Sequence, residues 1–200
     1  MLKKILIGLV AIIAIALVTA KFLPTEFGYE DSVEISATPA QVWQHTNSIR
    51  SMDTWSPWVA MDPESKITFE GEDGALMSKG CWDSKLEDVG KGCQWITDME
   101  VNKHMGTEML FVRPNPGPAD AYVDLEETES GTKVTWGFKS EIPWPWNLMI
   151  LTMDMKSKMG KPWSDGLNNL KTLSEASAKA EAEQAAMEAA AAESEEVIEE

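Results

Sequence analysis

Side chains that commonly do chemistry are scarce in this chain: 200 residues hold two histidines, two cysteines and two arginines. Neither His45 nor His104 has a carboxylate and a nucleophile at a spacing that forms a readable triad. Asp124 and Glu126 fall on the polar side of an alternating stretch, where carboxylates form a solvated face rather than an acid/base pair. Gly90-Lys91-Gly92 lacks the spacing of a phosphate-binding loop, and neither histidine lies at metal-ligand distance in sequence from the cysteines. No catalytic residue, cofactor or metal site is therefore assigned. Positive charge is also short. With 17 Lys and Arg against 33 Asp and Glu, the net charge is −16, which excludes a nucleic-acid partner because phosphate backbones need a basic surface. Half of that excess sits in the last 27 residues, where nine Glu face one Lys.

Charge is wholly absent from Ile5 to Ala20. Lys3 and Lys4 precede this apolar run, and Lys21-Phe22-Leu23-Pro24 closes it. Sixteen helical residues reach ~24 Å, and extension to Leu23 gives ~28 Å, close to the ~30 Å hydrocarbon core of a bilayer. The segment is predicted to be an uncleaved anchor. The alternative is a signal peptide cleaved after Val18-Thr19-Ala20. Either way Lys3 and Lys4 stay inside and the rest lies on the extracytoplasmic side, tethered in the first case and secreted in the second.

After Pro24 the hydrophobic period becomes two. Val33 and Ile35 alternate with Ser32, Glu34 and Ser36; Thr38-Pro39-Ala40-Gln41 then carries a capping box with proline at the first helical position. Further alternating stretches follow: Ile67/Phe69, Leu76 to Trp82, Gln94/Ile96, Thr107/Met109/Phe111, Ala121/Val123/Leu125 and Val134/Trp136/Phe138. One apolar and one polar face per strand predicts an antiparallel sheet covered on one side. Its cover is expected from Trp146 to Leu173, where Met155, Met159, Trp163, Leu167 and Leu170 recur at helical spacing, with a bend or restart at Gly160 and Pro162. The Ala/Glu stretch beyond Ser174 reads as a solvated tail that nothing holds to the core.

Cys81 and Cys93 flank a turn-like Leu86-Glu87-Asp88-Val89-Gly90. A hairpin centred near Glu87 places them opposite each other, within reach of a disulfide in an oxidising compartment. Two reduced thiols in a sheet is the other reading.

Strand, short helix, a run of antiparallel strands and a long terminal helix is the order of the helix-grip fold, an α+β class. The chain here resembles the START-like, or SRPBCC, superfamily of polyketide cyclases and lipid-transfer domains, and especially its membrane-anchored bacterial members. The resemblance rests on Thr38 to Trp43, Trp55-Ser56-Pro57-Trp58, Val89-Gly90-Lys91-Gly92, Thr132 to Trp136 and Gly166 to Leu170, spanning about Phe27 to Leu173. It implies a curved sheet gripping the long helix, with a cavity for apolar molecules between them. Gln94 departs from the pattern where an apolar cavity residue is expected, and Trp95 where a small polar one is usual.

The division expected is 1–25 as membrane segment, 26–174 as domain and 175–200 as acidic tail. The candidate cavity set is Trp82, Gln94, Ile96, Met109, Phe111, Trp136, Phe138, Met153 and Met159, with Ser78, Gln94 and Thr107 as polar handles. A mostly apolar pocket with few polar groups suits a hydrophobic small molecule or lipid. The competing reading is a filled core serving a structural or adaptor role, and a cyclase- or hydrolase-like enzyme comes third. Nine tryptophans, including Pro143-Trp144-Pro145-Trp146, also suit a membrane or partner surface.

Overall fold

A computed structural model of the chain describes residues 1–199, with side chains to residue 192. An N-terminal helix α1 (Leu2–Ala20) leads into an antiparallel sheet of seven strands in the order β1-β7-β6-β5-β4-β3-β2. The strands are β1 (Glu26–Ile35), β2 (Lys66–Glu70), β3 (Lys79–Asp83), β4 (Lys91–Glu100), β5 (His104–Arg113), β6 (Gly117–Thr128) and β7 (Gly131–Glu141). Between β1 and β2 run three short helices, α2 (Pro39–Trp43), α3 (Ile49–Asp53) and α4 (Pro57–Met61). The long helix α5 (Met155–Glu199) follows β7 after a 3-10 segment, Trp146–Thr152. This is the α+β helix-grip architecture.

Local sequence explains the entry to each covering element. Thr38 accepts from the Gln41 amide and Gln41 reaches back to Thr38 N, the full capping box, so the chain turns sharply off β1 into α2. The helix expected from Trp146 begins nine residues later. Asp154 accepts from Ser157 N (3.0 Å) and so starts α5 at Met155, leaving Met153 in extended backbone before it. Pro162 does not restart the helix; α5 continues through it. Only one carbonyl loses its helical donor there, that of exposed Lys158.

Helix α5 lies along β1 and β7, running in the direction of β1. Trp163 Nε1 donates to Trp136 O (2.8 Å), and Lys171 Nζ donates to Glu34 O (2.7 Å) farther along. Gly166 permits the close approach: a Cβ there would lie 2.7 Å from the Trp136 ring and 3.0 Å from Pro57. The stretch expected to be free of the domain is held further than Ser174. Glu175 accepts from Ser36 N (2.9 Å), Ser177 Oγ lies 3.1 Å from His45 Nε2, and Glu181 accepts from Gln41 (2.9 Å) and Gln44 (3.1 Å). Helical periodicity makes this possible. Residues 174, 177, 178 and 181 continue the face of Leu167 and Leu170, and polar contacts there do what apolar anchors do earlier.

Tryptophan dominates the centre of the core. Trp163 stacks on Trp136 at 4.5 Å and meets Trp58, Phe138 and Tyr29 at 5.2, 5.3 and 5.8 Å. Trp55, only 1% exposed, stands edge-on to Trp136 at 4.9 Å, and its indole donates to His45 O. Such pairs add ~0.5–1.5 kcal/mol each beyond the area they bury.

Cys81 and Cys93 are register partners on β3 and β4, with Cα atoms 4.0 Å apart, and form a disulfide. Their side chains face outward, on the face opposite the core. The bond closes a short loop, so replacing both residues by Ala is expected to cost about 2–3 kcal/mol. Urea midpoints of oxidised wild type and the double variant, measured side by side, check this; equal midpoints would remove the disulfide from the stability account.

Candidate functional site

Register divides the inner face of the sheet into rows. One row runs Tyr29–Phe138–Ala121–Thr107–Ile96, and the next Asp31–Trp136–Val123–Met105. These rows and those beyond them, with Val134, Leu125 and Ile35, hold the packed core: Ile96 and Val134 are 0% exposed, Met105 and Val123 1%. Toward the other end come two rows, Phe27–Ser140–Ala119–Met109–Gln94–Gly80 and Gly117–Phe111–Gly92–Trp82. Here Phe27, Met109, Phe111, Gln94 and Trp82 are only half-buried. Coverage of the inner face therefore thins at one end, where β1 begins and β7 finishes. Only five residues separate that end from α1.

The candidate residues split along the same line. Ile96 and Trp136 belong to the packed core, 0% and 6% exposed. Trp82, Gln94, Met109 and Phe111 share the thinly covered end, whereas Phe138 belongs to the Ile96 row and, like Met159, packs partly buried against the core; Met153 is half-buried in the extended link before α5. Trp82 and Phe111 meet edge-to-face at 5.7 Å, and Trp82 Nε1 is satisfied by Val89 O at 3.0 Å, so the indole presents an apolar surface. The Gln94 side chain makes no hydrogen bond among the described residues. It is a polar handle in an apolar setting. Ser78 and Thr107 are buried (6% and 3% exposed), with Thr107 Oγ1 turned to Ala121 O (3.4 Å).

A polar clamp fixes the rim of this end. The Arg113 guanidinium bonds both the Asp83 carboxylate and Ser84 O, Lys91 Nζ reaches Asp83 at 2.7 Å, and Ser84 Oγ donates to Asp62 at 2.5 Å. The hydrogen bond from Lys91, reinforced by Arg113, holds the Asp83 carboxyl below its usual range. The hairpin from β3 to β4 is thereby tied to β5 and to the exit of α4. Sequence spacing gave no sign of it, since its members lie up to 51 residues apart (Asp62 and Arg113).

Neither histidine reaches the inner face at this end. His45 sits beside Ser177 and Glu181 at the far end, where burial pushes its imidazole below the ordinary value and Glu181 opposes that. His104 faces outward and bonds Asp124 at 2.5 Å. It lines a shallow outer groove of about 500 Å3 with Glu30, Glu108, Asp120, Tyr122 and Lys139. Burial and the hydrogen bond to Glu30 push the Tyr122 phenol up to about 12. A second hollow, about 310 Å3, lies between α1 and the 3-10 segment, lined by Ala20, Lys21, Leu23, Thr25, Trp144 and Asn147. Among the described residues no cluster of three or more His, Cys, Asp or Glu is arranged to hold a metal ion.

One carboxyl is set apart electrostatically. Burial raises Asp53, at the end of α3, to about 6, against the lowering effect of Arg50. A carboxyl raised in the folded state holds its proton more tightly there than in the unfolded chain. It favours folding at low pH, and that contribution is lost as pH climbs from about 4 through about 6. Asp53→Asn is expected to remove the decline, making the variant more stable than wild type by about 1–3 kcal/mol at pH 7.5. Urea melts of both chains at pH 4.5 and 7.5 check it; a constant difference between the two pH values would contradict it.

Comparisons place this geometry among known proteins. Residues 27–175 match the family model described as polyketide cyclase / dehydrase and lipid transport. No curated protein matches the sequence significantly. Among solved structures, a protein from Thermobifida fusca is similar at TM-score 0.56 and 17% identity, over 74% of this chain and 92% of that one. The di-domain ARO/CYC StfQ of the steffimycin biosynthetic pathway is similar at TM-score 0.54 and 13% identity, over 79% of this chain and 52% of that one. Protein CV1439 from Chromobacterium violaceum matches at TM-score 0.51 and 13% identity, over 76% and 99%. At these identities the structures speak for the fold alone, while the family model spans three quarters of the sequence, and on that match the chain belongs to the polyketide cyclase/dehydrase and lipid-transport family.

Proposed function

We propose that the chain is a single-pass membrane protein whose domain binds a hydrophobic small molecule or lipid, without transforming it, on the extracytoplasmic (periplasmic) side. The observation that carries this reading is the thinly covered apolar end of the inner face, with Met109, Phe111 and Trp82 half-buried in the rows at the end of the sheet where β1 begins. Apolar surface there gains ~25 cal/mol per Å2 when a ligand covers it, and the unpaired Gln94 amide can bond a headgroup. Helix α1 is long and apolar enough to cross a membrane, a test that a signal sequence also meets. Lys3 and Lys4 before it favour a cytoplasmic N-terminus, and a disulfide suits an oxidising compartment. The division 1–25, 26–174 and 175–200 follows from this reading, with the first turns of the tail docked as far as Glu181.

A second reading, a non-catalytic adaptor with a filled core, is favoured by the Trp55, Trp58, Trp136 and Trp163 cluster, whose rings pack against one another at the centre. Uptake separates the two. The intact chain, held in detergent micelles and incubated with a bacterial lipid extract, is repurified and its organic extract weighed against protein. About one retained molecule per chain fits binding, and none fits the adaptor.

A further inference from the structure

Of the thirteen residues between β7 and α5, the first twelve, Ile142 to Met153, carry no charge. Soluble proteins rarely leave such a stretch uncovered, yet Trp146 is 67% exposed, Leu151 63%, Met149 55% and Trp144 51%. The stretch is not loose. Asn147, fully buried, donates from Nδ2 to Ala20 O at 2.7 Å, the last carbonyl of α1, and to Leu23 O and Pro24 O in the link beyond it at 3.2 and 3.4 Å. Trp144 Nε1 donates to Leu17 O at 3.3 Å, one turn deeper along α1. These side-chain donors add to the backbone bonds at the end of α1, where Ala20 O also accepts from Leu23 N at 3.4 Å. They also fix the depth of the segment: it sits at the last turn of α1, where a spanning helix of 19 residues, ~28 Å long, meets the headgroups.

We propose that Pro143 to Thr152 is a membrane-seating collar, whose exposed Trp144, Trp146, Met149 and Leu151 sink into the bilayer interface beside α1. This rests on α1 spanning a membrane. Tryptophan is the residue of that depth, with an apolar ring below and an N–H at the polar level. Charge supports lipid as the occupant. The exposed charges that follow are Asp154, Lys156, Lys158 and Lys161, the last paired with Asp165, a group of net positive charge in a chain of net charge −16 that favours anionic headgroups. The collar therefore holds the domain against the bilayer with its thinly covered end near the lipid, instead of letting it swing on the link after α1.

Helix α1 contains no tryptophan, so quenching of tryptophan by membrane lipid reports the domain alone. The full chain is reconstituted in vesicles of zwitterionic and anionic lipid, with and without acyl chains brominated near the headgroup. Wild type is expected to lose part of its emission to the brominated lipid, and Trp144→Phe/Trp146→Phe, which keeps the apolar surface, to lose less than half as much. Residual quenching in the double variant is that of a lipid lodged against Trp82. No quenching of wild type, or equal quenching in both chains, overturns the collar. Recovery of the natively expressed chain in the soluble fraction after alkaline extraction would instead sink the spanning helix, and the collar with it. If a soluble partner protein covers the patch, bromolipid quenching is absent until that partner is removed, and the proposal fails.

Discussion

Replacing Trp163 by Ala is expected to lower the stability of the domain by about 3–5 kcal/mol, the largest single effect in the molecule. Trp163 is 5% exposed and lies within 5.8 Å, ring to ring, of four aromatic side chains. Truncation opens a void between α5 and β7 that the rigid neighbours Trp136 and Trp58 cannot collapse into. It also removes the indole hydrogen bond to Trp136 O, a carbonyl of a strand paired on both sides. Trp163→Phe restores most of the volume without the donor and is expected to fall between the two. Guanidinium melts followed by far-ultraviolet circular dichroism rank the three chains. A Trp163→Ala variant within 1 kcal/mol of wild type would mean that the tryptophan cluster is not the centre of the core.

The second large effect concerns binding. Phe111→Asp is expected to weaken uptake of a fluorescent fatty-acid probe at least tenfold, while stability changes little because the site is already half open to water. The carboxylate would stand against the Trp82 ring with no cation in its row, and a ligand covering it would strip its hydration at a cost of several kcal/mol. Trp136→Phe, deep in the packed rows, is expected to change stability without abolishing uptake. Should Phe111→Asp bind the probe as wild type does, the half-buried rows are not the site.

Strand pattern, hairpin register and capping were legible because each is written in short-range spacing. Cys81 and Cys93 facing each other follows from a turn centred six residues from both. Thr38 and Gln41 declare their cap three residues apart. What did not show was anything set by depth along a strand. Trp136 and Phe111 have the same alternation, yet one is locked in a stack and the other half open; coverage depends on where α5 and α4 land, which no local period encodes. The start of α5 was misplaced for a related reason. Trp146 to Thr152 has the apolar content of a helix, but it is fastened to α1 by Asn147, a contact across 127 residues. The hold on the tail was missed because Gln41, Gln44 and Glu181 are polar, and an apolar pattern search passes over them.

The central claim is that the anchor-side end of the inner sheet face carries a hydrophobic ligand. Native mass spectrometry of the full chain, released from the membranes in which it is naturally expressed, tests it most directly. The account predicts a reproducible bound mass on wild type that is missing from Phe111→Asp. A bare mass on wild type, with no uptake after exposure to total lipid extract, would contradict it and leave the filled-core adaptor standing.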